Sequence, residues 1–248
     1  MNEYMLWPWQ IISKLFSLNF IYKIDFDFDH QKILNEYNEA ENKLSKGYYN
    51  QSIEHDGGWD VIGLYSVSGH SSDVGGFKNP DVITKPTEII KYFPYTDKVI
   101  KGLLKKYNCK PRRIRFSKLK PKKIIRWHRD WDECIEYNNS RLHIPLIVND
   151  KCKGYLCHQS YRWYPGGIFY GDYSFPHRVV NNGQTVRLHL VIDLKDPKNL
   201  FKDSNKFYQE EIKRKRYKKF VVLFFNIFFK KPRRLLWLLT FYDPTKKQ

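Results

Sequence analysis

Two histidines and one aspartate in the second half of the chain have the types and spacing of a metal site. His128 and Asp130 form a His-x-Asp tripeptide, and His177 follows later in the sequence. Side chains of an extended segment alternate between two faces, so His128 and Asp130 share a face. Two imidazoles and one carboxylate form the facial triad typical of non-haem Fe(II), which leaves positions open for a 2-oxo acid and O2. The sequence therefore predicts His128, Asp130 and His177 as metal ligands and catalytic residues.

Arginines alternate with histidines on two predicted strands near this triad. Arg141 and His143 share one face of residues 141–148, and Arg187 shares a face with His189. A buried arginine is unfavourable unless it meets an anion, and a dicarboxylate can bind the guanidinium with two hydrogen bonds. The pattern predicts a charge-lined pocket inside a β-barrel. The alternative is that one face of each strand is simply exposed to solvent.

Other candidate residues have more ordinary interpretations. Asp132 competes with Asp130 as the carboxylate ligand, although it lies two positions too far for the tripeptide geometry. His158 lies near two cysteines, but the spacing fits no usual zinc pattern and predicts a structural or surface role. Asp172, five positions before His177, is predicted to cap a turn.

The elements that must position these residues change character along the chain. Residues 1–22 predict a short amphipathic helix or arm, and apolar spacing predicts helices at 31–46 and 87–107, the latter interrupted by Pro94. Short segments rich in β-branched and aromatic residues predict strands at 59–67, 112–119, 122–127, 141–148, 166–172 and 186–194. Helices followed by many short strands favour an α+β protein with a β-sandwich or barrel core.

The composition sets broad limits on the class of protein. The 248 residues carry a formal net charge of +18, with 42% hydrophobic and 28% charged residues, which fits one globular domain with appendages. The charge predicts an anionic partner. The four cysteines form no Cys-x-x-Cys pair and are expected to be reduced thiols, and no uncharged run is long enough to span a membrane.

Four stretches of the chain resemble the aspartyl/asparaginyl β-hydroxylase family of Fe(II)/2-oxoglutarate-dependent oxygenases. They are FSKLKPKKIIRWHRD, RLHIPL, the region of GDYSFPH, and HRVVNNGQTVRLHLVID. The resemblance extends from residue 55 to residue 195. It implies an α+β fold with a double-stranded β-helix (jelly-roll, cupin-like) core, flanking helices and a basic, aromatic C-terminal extension. The expected divisions are a helical arm at 1–50, the oxygenase domain at 51–197 and the extension at 198–248.

The same resemblance implies the cofactors and further site residues. Fe(II), the co-substrate 2-oxoglutarate and O2 are expected. Ser117 and Arg187 would bind the distal carboxylate of 2-oxoglutarate. Arg141 and His143 would bind the carboxylate end nearest the iron. Some members of the family lack the carboxylate ligand, but this sequence has Asp130 in that place.

The expected activity is hydroxylation of a C–H bond in an aspartyl, asparaginyl or other amino-acid residue, free or in a peptide. Basic clusters and apolar blocks alternate at 213–242, which keeps open a hydroxylase of lipid acyl chains that lies on an anionic membrane surface. A non-catalytic basic jelly-roll binding module is the alternative of another class. Nucleic acid is not the expected partner, because no nucleic-acid-binding motif accompanies the basic clusters. The expected location is cytoplasmic, with peripheral membrane attachment as an open alternative.

Overall fold

The computed structural model describes residues 6–44, 47–48, 55–74, 82–202 and 204–230. Within these ranges the chain divides into two compact units. One unit is made of residues 20–156 and 160–203 and carries the sheets. Among the described residues, the other contains 6–19, 157–159 and 204–230, and these are mainly helical.

Four α-helices are present in the described residues. They are α1 (Pro8–Leu15), α2 (His30–Ala40), α3 (Pro94–Tyr107) and α4 (Asn205–Phe225). Asp29 caps α2, because its Oδ1 accepts a hydrogen bond from the backbone N–H of Gln31 at 2.9 Å. Pro94 begins α3 rather than interrupting a longer helix, since proline lacks the N–H that a first-turn residue would leave unbonded anyway.

Twelve strands are present in the same ranges. They are β1 (Ile21–Ile24), β2 (Gly47–Tyr48), β3 (Trp59–Ser66), β4 (Lys85–Pro86), β5 (Lys110–Leu119), β6 (Lys123–His128), β7 (Asn139–Ile147), β8 (Cys152–Leu156), β9 (Gln159–Tyr161), β10 (Ile168–Gly171), β11 (His177–Asn181) and β12 (Arg187–Lys195). The six strands predicted from the sequence are all found, with ends shifted by one or two residues.

The strands form two antiparallel sheets. The larger sheet has the order β1-β10-β7-β12-β5-β3-β2, with β4 beside β3, and the smaller sheet has the order β6-β11-β8-β9. Leu119 of the larger sheet packs with Ile125, Cys152 and Val179 of the smaller one, so their inner faces share a core. This arrangement agrees with the predicted jelly-roll core flanked by helices.

Strand β12 is central in the larger sheet. It pairs with β5 on one side and β7 on the other, and all but its last residue are buried. Both faces of β7 are likewise buried over almost its whole length. The predicted pocket-facing Arg-x-His pairs therefore lie inside the protein, and the solvent-exposed alternative is wrong.

The N-terminal boundary differs from the expected helical arm at 1–50. Ile21–Ile24 is an edge strand of the larger sheet and pairs with β10, with Ile21 opposite Gly171. A four-residue edge strand has too few residues to show a period in the sequence, and its partner lies far along the chain. Residues 1–5, 45–46 and 49–50 of that expected arm lie outside the described residues.

In the helical unit, aromatic side chains connect α1 to α4. Trp9 contacts Phe225 edge-on at a centroid distance of 5.1 Å, and Phe16 stacks on Tyr217 at 3.7 Å. Part of the apolar block at 220–229 is thus used in packing, while the second apolar block at 235–242 lies outside the described residues. No helix among the described residues is both long and apolar enough to cross a bilayer.

Candidate metal centre and co-substrate pocket

Two neighbouring strands and one loop bring the three predicted metal ligands together. His128 ends β6, His177 begins β11, and the two residues are directly paired across the smaller sheet. Asp130 follows β6, and its backbone N–H donates to the carbonyl of Tyr173 at 3.0 Å. One possible ligand atom from each of the three side chains lies within 4.8 Å of the other two.

The hydrogen bonds of the two histidines prepare them for a metal. Nδ1 of His128 lies 2.8 Å from the carbonyl of Arg126, and Nδ1 of His177 lies 3.0 Å from that of Phe175. A carbonyl only accepts, so each Nδ1 carries a proton and Nε2 is the nitrogen with which each imidazole can bind a metal. Burial, and then the neighbouring His128, lower the pKa of His177 to about 3, so this imidazole is neutral at neutral pH.

The third ligand is held by an arginine. Arg141 donates to Asp130 Oδ2, and the same oxygen lies 3.8 Å from His177 Nε2. Burial would raise the pKa of Asp130, but Arg141 and the two histidines outweigh it and hold that pKa below its ordinary value. The carboxylate is therefore ionised, as a metal ligand must be. The donor set of two imidazoles and one carboxylate fits Fe(II).

Asp132, the competing carboxylate, is engaged elsewhere. It pairs with the buried guanidinium of Arg112, and among the described residues it is not part of the metal-ligand group. The prediction of Asp130 over Asp132 agrees with this placement.

The other predicted site residues line the same cavity as the triad. Ser117, Arg141, His143 and Arg187 all contribute to its wall, and each is less than a tenth exposed. The structure thus brings together all seven predicted residues. Their individual roles towards the co-substrate stay predictions.

Ser117 and Trp59 meet at one side of the cavity. The indole Nε1 of Trp59 donates to Ser117 Oγ at 2.9 Å, and Ser117 lies opposite His189 in the pairing of β5 with β12. Because the hydroxyl accepts this hydrogen bond, its own proton remains available for an anion.

Arg187 is a buried cation with no carboxylate beside it. It is 4% exposed, and none of the ion pairs found among the described residues involves it. Its Nη2 donates to His189 Nδ1 at 2.8 Å, a neutral partner. A guanidinium so placed is poised to bind an external anion.

Three other arginines near the cavity, Arg113, Arg115 and Arg141, pair with carboxylates of the protein. Asp193, which is fully buried, accepts from Arg113 Nε at 3.0 Å, Arg115 Nη1 at 2.8 Å and Arg141 Nε at 2.6 Å. Glu133 also contacts Arg113 and Arg141. Burial would raise the pKa of Asp193, but the three arginines hold it far below its ordinary value.

Several residues around the cavity were not singled out from the sequence. Arg113, Arg115, Tyr161 and Tyr173 line it, and Asp193 organises the arginines. The sequence features that point to these residues are the alternating arginines of RRIRF and the terminal aspartate of VRLHLVID. Alternation alone, however, does not show which face of a strand is the inner one.

The structure agrees with the structural roles predicted for His158 and Asp172. His158 Nδ1 lies 2.9 Å from Ser13 Oγ in the helical unit, and His158 is not part of the metal-ligand group found among the described residues. Asp172 Oδ1 accepts from the hydroxyl of Ser174 at 2.5 Å and from its backbone N–H, as a turn-capping residue does.

Solved structures similar to this chain include Fe(II)/2-oxoglutarate oxygenases and cupins. An oxidoreductase of the 2OG-Fe(II) oxygenase family from Burkholderia pseudomallei matches with a TM-score of 0.50 at 11% identity, over 80% of this chain and 95% of that chain. A prolyl-4-hydroxylase from Pseudomonas putida matches at 0.41 and 11% identity, over 75% and 98%. A viral collagen prolyl hydroxylase from Paramecium Bursaria Chlorella virus-1, solved with 2OG, matches at 0.40 and 10% identity, over 71% and 97%. At such identities the first match supports the fold alone.

The His-Asp-His site, together with the family match, defines an oxygenase that uses Fe(II), 2-oxoglutarate and O2. The sequence matches the aspartyl/asparaginyl beta-hydroxylase family over residues 27–197, and the chain belongs to that family. The match ends where the predicted oxygenase domain ends and begins 24 residues before its expected start at 51. No curated protein sequence gives a significant match. Family membership favours the enzymatic prediction over the non-catalytic binding module.

The metal centre can be tested by removing its ligands singly. His128→Ala or His177→Ala should abolish Fe(II) binding, because each removes one of three protein ligands. Asp130→Ala should weaken binding severely but leave residual activity, as family members without this carboxylate imply. Anaerobic Fe(II) titration measures the affinities. His158→Ala is the matched control and should bind iron normally; unchanged affinity in both ligand-histidine variants would show that the assignment is wrong.

The buried arginine cluster can be tested by comparing two aspartates near the end of β12. Asp193→Asn should destabilise the fold by roughly 3–5 kcal/mol, because it leaves buried guanidinium groups without their carboxylate. Asp196→Asn should change stability by about 0.5 kcal/mol or less, because its pair with Lys110 is exposed, at 3.6 Å. Urea unfolding of both variants measures the difference, and equal effects would contradict the role given to Asp193.

Proposed function

We propose that this oxygenase hydroxylates a C–H bond of an aspartyl or asparaginyl residue, or of another amino acid, free or in a peptide. The proposal rests on family membership and on the charge of the cavity beside the metal ligands. The wall of that cavity carries four arginines and one aspartate. Asp193 and Glu133, buried beside these arginines, offset part of this charge. The positive charge that remains attracts carboxylate groups, which favours a target bearing an acidic side chain.

Arg115 is the arginine that best supports an acidic target. It is 4% exposed, and its Nε has no hydrogen-bond partner among the described residues. Burial, and then the neighbouring Arg113, lower its pKa to about 10, so it is charged at neutral pH but incompletely compensated. A carboxylate entering the cavity would supply the missing acceptor.

Arg187 carries the proposed role of co-substrate anchor. The guanidinium pairs with no carboxylate of the described residues and lies in the same cavity as the triad, and Ser117 can donate its hydroxyl proton alongside it. Bound Fe(II) would supply the chemistry of O2 activation coupled to oxidation of the 2-oxo acid. The role of the protein is to hold the 2-oxo acid by its distal end, to orient it towards the three metal ligands and to keep the target carbon in place.

Arg141 and His143 have a less direct connection to the co-substrate. Arg141 is occupied by Asp130, Asp193 and Glu133, which favours a role in orienting the metal-binding carboxylate. The prediction that Arg141 and His143 bind the carboxylate end near the iron therefore requires part of these contacts to open. Hydroxylation of a lipid acyl chain gains no support from the comparisons, and the cytoplasmic location stays a prediction.

The anchor can be tested by truncating its two side chains. Arg187→Ala should raise the KM for 2-oxoglutarate by one to three orders of magnitude, about 2–4 kcal/mol, because a desolvated guanidinium–carboxylate contact is lost. Ser117→Ala should lose about 1 kcal/mol, because a neutral hydroxyl contributes one hydrogen bond. Steady-state succinate release at varied 2-oxoglutarate measures both. Normal 2-oxoglutarate dependence in the Arg187 variant would place the anchor elsewhere.

The substrate class can be tested with peptide libraries that differ only at one central position. Aspartate should support succinate release and gain one oxygen atom by mass spectrometry, asparagine should support less, and alanine none. Arg115→Met should reduce the preference for aspartate over asparagine, because it removes the under-compensated cation. Succinate release that no peptide or free amino acid stimulates, but lipid vesicles do, would overturn the proposal in favour of the lipid alternative.

A further inference from the structure

His189 and His143 form a buried imidazole pair beside Arg187. His189 lies two positions after Arg187 on β12, on the same face of the strand, and both are 4% exposed. The two Nδ1 atoms of the imidazole pair are 3.2 Å apart. Trp163 packs against both rings, at centroid distances of 5.9 Å from His189 and 5.0 Å from His143. Neither imidazole is therefore free to turn.

The contact with Arg187 fixes the proton positions of both imidazoles. A guanidinium has only donors, so His189 Nδ1 must accept and its proton must reside on Nε2. His189 Nδ1 then has no proton to give, so His143 Nδ1 must be the donor in the second, longer contact, which shares the single lone pair of His189 Nδ1 with Arg187. Burial, and then the charge of Arg187, hold the pKa of each imidazole far below its ordinary value, so both are neutral.

This chain of contacts gives the Arg187 guanidinium a defined orientation. One Nη2–H is taken by His189, and among the described residues no carboxylate competes for the remaining N–H groups. A buried arginine side chain without that acceptor would have several rotamers and no preferred direction. The remaining N–H groups can therefore be presented to a ligand in a fixed direction.

We propose that His189 is a positioning residue that accepts one hydrogen bond from Arg187 and thereby aims the remaining guanidinium N–H groups at the distal carboxylate of the 2-oxo acid. This inference rests on the proposed role of Arg187 as co-substrate anchor. It also assigns His143 the Nδ1–H form, with an Nε2 lone pair that has no hydrogen-bond partner among the described residues.

The proposal can be tested by comparing His189→Gln with His189→Leu in the full-length, Fe(II)-loaded protein under anaerobic conditions. The glutamine amide oxygen can replace the acceptor, whereas leucine has a similar size and no acceptor. Calorimetric titration with 2-oxoglutarate should show roughly tenfold or greater loss of affinity in the leucine variant and a loss within about threefold in the glutamine variant. Fe(II) affinity should be unchanged in both, because His189 does not contact the metal ligands.

A second probe separates positioning from general damage. 2-Oxobutanoate has the same 2-oxo acid end but no distal carboxylate, so its affinity should be equal in the wild type and the leucine variant. Equal losses for both acids, or no loss for either, would overturn the proposal. If Arg187→Ala leaves 2-oxoglutarate affinity unchanged, the anchor itself is wrong, which is a distinct failure from that of His189.

The proton positions can be measured without any substitution. In the wild-type protein labelled with 15N-histidine, long-range nitrogen–proton correlations distinguish the two neutral tautomers. His189 should show an unprotonated Nδ1 and His143 a protonated one. The opposite assignment for His189 would overturn the proposal even if the leucine variant failed to fold.

Discussion

The pairing of β6 with β11 is the constraint on which the site depends. It sets His128 directly opposite His177, so that two side chains far apart in sequence meet at the rim of the smaller sheet. Backbone carbonyls two residues before each histidine then fix the proton on Nδ1. Strand register and local backbone geometry thus determine how His128 and His177 present their metal-binding nitrogens. A slip of one residue in the register would turn one of these histidines to the other face of the sheet.

The arginines around this edge are of two kinds: those that pair with carboxylates of the protein, and Arg187, whose partner is a neutral histidine. Asp193 pairs with Arg113, Arg115 and Arg141 inside the protein, Glu133 pairs with Arg113 and Arg141, and Arg141 in turn holds the metal-binding carboxylate. Arg187 is left with a neutral partner. A buried ion pair adds little net stability, but a buried cation without a carboxylate partner is unfavourable. Burial of Arg187 therefore lowers the stability of the fold, and the negative charge of bound 2-oxoglutarate would offset this cost.

Much of the site could be predicted because its residues lie on strands with a clear period of two. Alternation in residues 141–148 and 186–194 placed Arg141 with His143 and Arg187 with His189, and the structure confirms that these faces are buried. Asp193 could not be recognised in the same way, because its function depends on arginines from two other strands. Likewise β1 and the hydrogen bond from Trp59 to Ser117 arise only from tertiary pairing.

The loop before His177 is held in place by close packing and hydrogen bonds. A Cβ on Gly171 would lie 2.7 Å from the ring of Tyr173, so glycine leaves the space that this ring occupies. Asp172 closes the following turn through Ser174, and the carbonyl of Tyr173 accepts the backbone N–H of Asp130. The third metal ligand, which belongs to no strand, is therefore tied by its own backbone to the segment that delivers the distal histidine. The distance of Asp130 from His128 and His177 is set by two contacts: the hydrogen bond of its backbone N–H and the contact of its carboxylate with Arg141.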